Sequence, residues 1–230
     1  MMIRIQEIPD FPAADTISFG ALSEAHSRWI PQGPWQGAIV WGLPLPGDVI
    51  AELRNGPTKQ YAQTYREWNR CLDKIAQEAS HIFENHGIRA HPIAASRVVD
   101  DEHKRGEASH RHLAASFGMG WIGKHGLLVT PRWGAAVRLV TVLVDEPIEP
   151  SPKLSCGGCA TCSECVDACP VDALDPPINA RKLTRCWKLL KEYERDPAVG
   201  QPVCGICIKV CHDRISLLRS RGDQKEVIVS

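Results

Sequence analysis

Between Thr58 and His86, apolar side chains recur at Tyr61, Tyr65, Trp68, Leu72, Ile75, Ala79 and Ile82, in alternating steps of four and three. That spacing lines one face of a helix. Thr58 is placed to cap its first turn, and Gly87 suits the left-handed residue just past its end. Continuous short apolar runs predict buried strands at Gly37–Leu43, Ile88–Ala95, Leu127–Thr130 and Ala136–Asp145. His110–Phe117 reads as a second helix that runs into Gly118-Met-Gly-Trp-Ile-Gly-Lys124. Strands mixed with helices predict an α/β or α+β domain over residues 1–150. The stretch Glu146-Pro-Ile-Glu-Pro-Ser-Pro152 punctuates the chain as a linker, leaving residues 151–230 as a second, smaller domain.

Composition narrows the class. Of the 230 residues, 43% are apolar and 23% charged, which is globular material with room for one core and a small module beside it. Lys+Arg and Asp+Glu both number 27, without the basic excess that a nucleic-acid binder uses to displace counterions. The segment Met1–Asp15 carries neither an apolar signal core nor a twin arginine, and no window offers an uninterrupted membrane span. The expectation is a cytoplasmic protein. There, disulfides are disfavoured and clustered cysteines bind metal or do redox work.

Nine of the ten cysteines lie between Cys156 and Cys211. Cys159-x2-Cys162-x2-Cys165-x3-Cys169-Pro170 has the spacing of the bacterial ferredoxin run, in which the fourth thiolate ligates the other of two 4Fe–4S clusters. A second set then has to exist, and Cys186 with Cys204-x2-Cys207-x3-Cys211 supplies it. Crossing the ligands as in ferredoxins gives Cys159, Cys162, Cys165 and Cys211 to one cluster, and Cys169, Cys186, Cys204 and Cys207 to the other. The competing assignment is structural zinc, which also takes C-x2-C pairs but does not need the longer run. Cys156 is left over, an inert neighbour or an alternate ligand. Cys71 borders the apolar helical face beside Leu72, which predicts a small core residue.

Beyond the cysteines, the stretch from His112 through Gly118-Met-Gly-Trp-Ile-Gly-Lys-His125, the run Leu127–Pro131, Arg138-Leu-Val-Thr-Val-Leu-Val-Asp145, Ser155-Cys-Gly-Gly-Cys159 and Cys204-Gly-Ile-Cys207 resemble epoxyqueuosine reductases and their shorter relatives. The likeness extends weakly back to Ala38–Pro44 and Gly56–Tyr61, so it covers roughly residues 35 to 212. It implies an α+β fold, with an N-terminal cobalamin-binding domain of α/β type followed by a ferredoxin-like domain with two 4Fe–4S clusters; reductive dehalogenases share this fold. Cobalamin would bind base-off between the two. The clusters would pass single electrons to cobalt, fed by an external donor of ferredoxin or flavodoxin type. The resemblance points to Gly118, Gly120, Trp121, Gly123 and Lys124 as corrinoid contacts. The proton donor of the family is an Asp in a Val-Asp pair; Val99-Asp100-Asp101 stands near that place and leaves Asp100 and Asp101 as two candidates.

The chain also departs from that pattern. Only nineteen residues follow Cys211, without the C-terminal repeat region of the longer reductases, and His212 replaces the usual proline after the last cysteine. Together with the neutral charge this makes tRNA an improbable partner, and the expected substrate is a small molecule, a corrinoid or a modified nucleoside. Judged as residues alone, Gly118, Gly120 and Gly123 also suit a tight turn. His103, His110, His112 and His125 suit scattered surface or core positions, with His110 or His125 as possible proton donors to a ligand. Tyr61 and Tyr65 suit packing. Lys182, Arg185, Lys188 and Lys191 suit a solvated helix face. The leading reading is a corrinoid-dependent iron–sulfur reductase. Its rivals are an electron-transfer protein with a docking domain and an activator that reduces a corrinoid on another protein.

Overall fold

The protein is described from a computed structural model over residues 2–12, 14, 16–100, 105–152, 157–174 and 180–221, without the side chains of residues 105 and 180–182. In chain order its strands and helices are β1 (Thr16–Ala21), β2 (Gly37–Pro44), α1 (Gly47–Ala51), α2 (Lys59–Asn85), β3 (Ala90–Ile93), β4 (Val98–Asp100), β5 (Arg105–Gly106), α3 (His110–Ser116), β6 (Trp121–Ile122), β7 (Leu128–Val129), β8 (Val137–Val144), α4 (Glu164–Asp167), α5 (Ala180–Arg195) and α6 (Ile206–Ser220). The chain forms two compact units, each assembled from three stretches. Met1–Leu43, Trp68–Gly120 and Arg138–Ser155 make the first; Pro44–Glu67, Trp121–Val137 and Cys156–Ser230 make the second.

The first unit is a mixed α/β layer built on a four-stranded sheet in the order β1-β2-β8-β3. β1 runs antiparallel to β2, from Thr16 opposite Gly42 to Ala21 opposite Gly37, and β3 antiparallel to β8, from Ala90 opposite Val144 to Ile93 opposite Thr141. β2 and β8 carry apolar residues at nearly every position and are buried on both faces, which is what a strand covered from two sides requires. One face brings Ile39, Trp41, Val140, Val142 and Val144 against Leu72, Ala76, Ala79 and Phe83 of α2. From the other face Thr141 meets His110 of α3. β1 is absent from the predicted strands because its run is broken by Ser18 and Gly20 and it buries only three residues.

α2 follows its sequence pattern closely. The Tyr61 N–H donates to the Thr58 hydroxyl at 3.1 Å, satisfying one of the first-turn amides. At the other end Gly87 has φ 76°, and the Gly87 and Ile88 amides donate to the Glu84 and Phe83 carbonyls, a Schellman closure. Cys71 departs from expectation: it is exposed. One residue along a helix turns the side chain by about 100°, and that is enough to carry position 71 off the face that buries Leu72.

In the second unit, α4 packs against α6, and α1 touches α6 as well. β6 and β7 pair as a short hairpin, Trp121 opposite Val129 and Ile122 opposite Leu128. Glycine is forced at two positions. Gly205 precedes α6 with φ 89°, and a Cβ there would lie 2.7 Å from Leu53 Cδ1. Gly134 has φ 58°, and a Cβ would meet the Cys211 carbonyl oxygen at 2.8 Å. Both positions need the left-handed backbone and the missing side chain together. Among the described residues no helix is long and apolar enough to cross a membrane.

Candidate metal centre

The described cysteines of the second unit are all free thiols. Local structure explains where each one stands. Cys159 and Cys162 bracket a tight turn in which the Cys162 amide donates to the Cys159 carbonyl at 2.8 Å, with Ala160 between them at φ 39°. Cys165 lies in α4, whose single turn ends by presenting Cys169, whose sulfur accepts the Ala173 amide at 3.3 Å. Cys186 lies on α5, Cys204 just before α6, and Cys207 and Cys211 on α6, four apart and so on one helical face.

Burial pushes Cys165, Cys186, Cys204, Cys207 and Cys211 away from their charged form, and neighbouring thiols push further. Cys165 rises to about 11, raised by its surroundings and then by Cys159 and Cys162, and held down by Lys124. Cys211 rises to about 12 through burial, with Cys159, Cys165 and Cys162 as its raising neighbours and the Ala135 backbone hydrogen bond opposing them. Cys186 rises to about 11, through burial and then Cys204 and Cys169. Cys204 is raised by burial and by Cys169. Cys207 is raised by burial, then by Cys204 and Cys186, with smaller contributions from Cys165 and Cys169. Cys159 and Cys162 thus act on both Cys165 and Cys211, Cys169 acts on Cys186, Cys204 and Cys207, and Cys165 reaches Cys207 as well.

Among the described residues no three His, Cys, Asp or Glu side chains gather as a single metal ion would need. Iron–sulfur clusters fit the donor set. The thiols are soft donors, five of them pushed toward the protonated form, and bound iron both deprotonates coordinating thiols and cancels their charge.

The Gly118–Lys124 stretch has its own geometry. Gly118 is the left-handed residue that ends α3, its amide and that of Met119 donating to the Ala115 and Ala114 carbonyls. Gly120 is buried. The space a Cβ on Gly123 would take is occupied by His125 Cε1 and Val129 Cγ2, each at 2.8 Å. Lys124 Nζ donates to the Ala160 carbonyl at 2.9 Å, inside the turn that carries Cys159 and Cys162. Trp121 is buried with Val129, Ile215 and Leu218, and Cys159 and Cys211 pack against that group. Gly118, Gly123 and Lys124 are thus all engaged within the protein.

The remaining candidates separate. Asp100 ends β4, half-buried, in register with Arg105. Asp101, His103 and Cys156 lie outside the described residues. His110 Nδ1 meets Thr141 Oγ1 at 2.7 Å and its Nε2 meets the Ala94 carbonyl at 3.2 Å. His112 stacks on Trp29 at 5.0 Å. His125 Nδ1 accepts the Leu127 amide at 3.1 Å. Each histidine has a separate packing role. His212, the replacement for proline, turns its Nδ1 to the Trp133 carbonyl at 3.0 Å. The Thr130–Gly134 turn was not singled out from sequence, although it sets the Ala135 backbone beside Cys211; its one signal is Gly134.

No protein-family model matches the chain. Epoxyqueuosine reductase of Pseudomonas aeruginosa is 29% identical over 192 residues, which make up 78% of this chain and 51% of that protein. A crystal structure of epoxyqueuosine reductase with a tRNA-Tyr epoxyqueuosine-modified stem loop aligns with 86% of this chain and 61% of its own, at 21% identity and a TM-score of 0.55. The chain belongs with the epoxyqueuosine reductase-like proteins. A catabolic reductive dehalogenase bound to 3-bromo-4-hydroxybenzoic acid shares the fold over 94% of this epoxyqueuosine reductase-like chain and 35% of its own, at 14% identity and a TM-score of 0.66. The chain spans about half the length of the curated relatives it matches. The expectation that tRNA is an improbable partner is overturned, because a structural neighbour aligned with most of this chain is a tRNA-bound reductase. Net charge misled there. It sums the whole chain, whereas phosphates read only the patch they touch.

Proposed function

We propose that this chain is an iron–sulfur oxidoreductase of the epoxyqueuosine reductase type. Its cysteine-rich segment is a ferredoxin-like domain with two 4Fe–4S clusters, and its substrate is a modified nucleoside in a tRNA stem loop. What supports this reading is that Cys165 and Cys211 share Cys159 and Cys162 as neighbours, while Cys186 and Cys207 share Cys204 and Cys169. Cys159, Cys162, Cys165 and Cys211 hold one cluster, and Cys169, Cys186, Cys204 and Cys207 the other. Cys207, which feels Cys165 across the two sets, stands with it where an electron passes between them. Cobalamin is the second cofactor, met by the backbone at Gly118 and Gly120. When bound, it supplies a metal that collects single electrons and delivers them to an electrophilic carbon. Asp100 or Asp101 holds the proton that the reduced product takes up.

The test is anaerobic reconstitution with iron, sulfide and hydroxocobalamin, then desalting and single-turnover reaction with an epoxyqueuosine-modified stem-loop RNA. The proposal expects iron and cobalt to co-elute and the epoxide to be reduced. Iron without cobalt, together with an unchanged RNA, would reject the reductase and leave an electron carrier or an activator of another corrinoid protein.

A further inference from the structure

The indole N–H of Trp121 is buried and has no hydrogen-bond partner among the described residues. Leaving such a donor unpaired costs more than a single hydrogen bond returns; Ser18, Trp35 and Ser80 carry such atoms as well, and its surroundings set Trp121 apart. The ring lies in the apolar group against which Cys159 and Cys211 pack. Three residues along the chain, Lys124 in the hairpin loop reaches the same cysteines: its ammonium is held on the Ala160 carbonyl, between Cys159 and Cys162, and its charge acts on Cys165. One hairpin thus sends an N–H donor and a cation to the neighbourhood of a single cysteine set. Gly123 lets the hairpin close, since its Cβ would collide with His125 and Val129.

We propose that Trp121 and Lys124 are positioning residues that raise the reduction potential of the cluster held by Cys159, Cys162, Cys165 and Cys211, Trp121 by donating its N–H to a cluster sulfur and Lys124 by its charge. This rests on the two-cluster reading above. Reduction adds one negative charge to the cluster, and both groups stabilise that charge, as hydrogen bonds to sulfur and nearby charge do generally. The hairpin gives the two clusters different potentials although their ligands are the same, and it makes the Trp121-side cluster the better electron acceptor.

The experiment is a redox titration of the reconstituted full chain, followed by electron paramagnetic resonance, for the wild type, Trp121→Phe and Lys124→Gln. Cys162→Ala identifies the first cluster's signal by removing it. Phe keeps the ring packing and lacks the donor. Trp121→Phe is expected to weaken reduction of the first cluster about tenfold, which for a one-electron couple is about 59 mV, and to leave the second cluster's midpoint in place. Lys124→Gln is expected to shift the same midpoint in the same direction and to read out independently if the Trp121 variant folds poorly. Full iron with both midpoints unmoved in both variants overturns the proposal, as does an equal shift of both clusters. A wild type without iron overturns the two-cluster reading itself, and iron analysis detects that before any titration begins.

Discussion

His110 in the first unit is half-buried and His125 in the second buried, and loss of solvent pushes both imidazoles down to about 4. Both ring nitrogens of His110 have partners, Thr141 on one side and the Ala94 carbonyl on the other. His125 has one, the Leu127 amide, while its Nε2 is buried without a partner among the described residues, as is Trp121 Nε1 four residues earlier. The surroundings differ in the same sense. In the first unit Trp41, Val140, Val142, Leu72 and Phe83 pack into an apolar core without cysteine. In the second, Cys159 and Cys211 lie against the group of Trp121, Val129, Ile215 and Leu218. The contrast is between a core that is aliphatic and aromatic throughout and one bordered by thiols. If those thiols hold clusters as proposed, folding and metal binding share one free energy in the second unit.

Stripping iron from the protein breaks that comparison most strongly. Anaerobic chelation is expected to abolish amide-exchange protection along Ile206–Ser220 and to leave Val137–Val144 protected as before, read by exchange and mass spectrometry. Equal loss in both segments would mean that the first unit does not stand by itself. A core truncation probes the opposite side. Trp41→Ala empties a fully buried site whose indole N–H also donates to the Pro12 carbonyl, and is expected to cost about 3–5 kcal/mol in a denaturant titration, with the iron content of the folded fraction unchanged.

Acid gives the smallest effect of the three. Unfolded, His110 takes a proton near 6.5; folded, it resists until about 4, because burial first and Arg138 less strongly disfavour the charge. Between these values the unfolded state holds more protons, so stability is complete above pH 6.5 and falls as pH drops toward 4. The loss from this residue is at most about 3 kcal/mol. His110→Gln is expected to flatten the stability profile in that window by about one proton. An unchanged slope would remove His110 from the account.

The parts of this molecule that were legible in its sequence are those where one local rule decides. The four-three spacing from Tyr61 to Ile82, the Thr58 cap and Gly87 specify α2 without help from the rest of the chain. The apolar runs of β2 and β8 mark strands buried on both faces. β1 escaped because its pairing with β2, not its composition, makes it a strand. Cys71 was misassigned because adjacency along a helix is not adjacency in space. In the candidate centre the C-x2-C-x2-C-x3-C-P run singled out the candidate thiols, since ligand spacing is itself local. What the spacing could not reveal was the turn from Thr130 to Gly134 against Cys211, or that Lys124 turns to the Ala160 carbonyl. Both depend on contacts between segments far apart in the chain.

The central claim is that eight thiols hold two clusters in two sets of four. Iron analysis with electron paramagnetic resonance of the wild type, Cys165→Ser, Cys207→Ser and the double variant tests it most directly. The account predicts about eight irons per chain in the wild type, about four in each single variant with a different signal lost from each, and almost none in the double variant. Full iron in both single variants, or zinc in place of iron in the wild type, would contradict it.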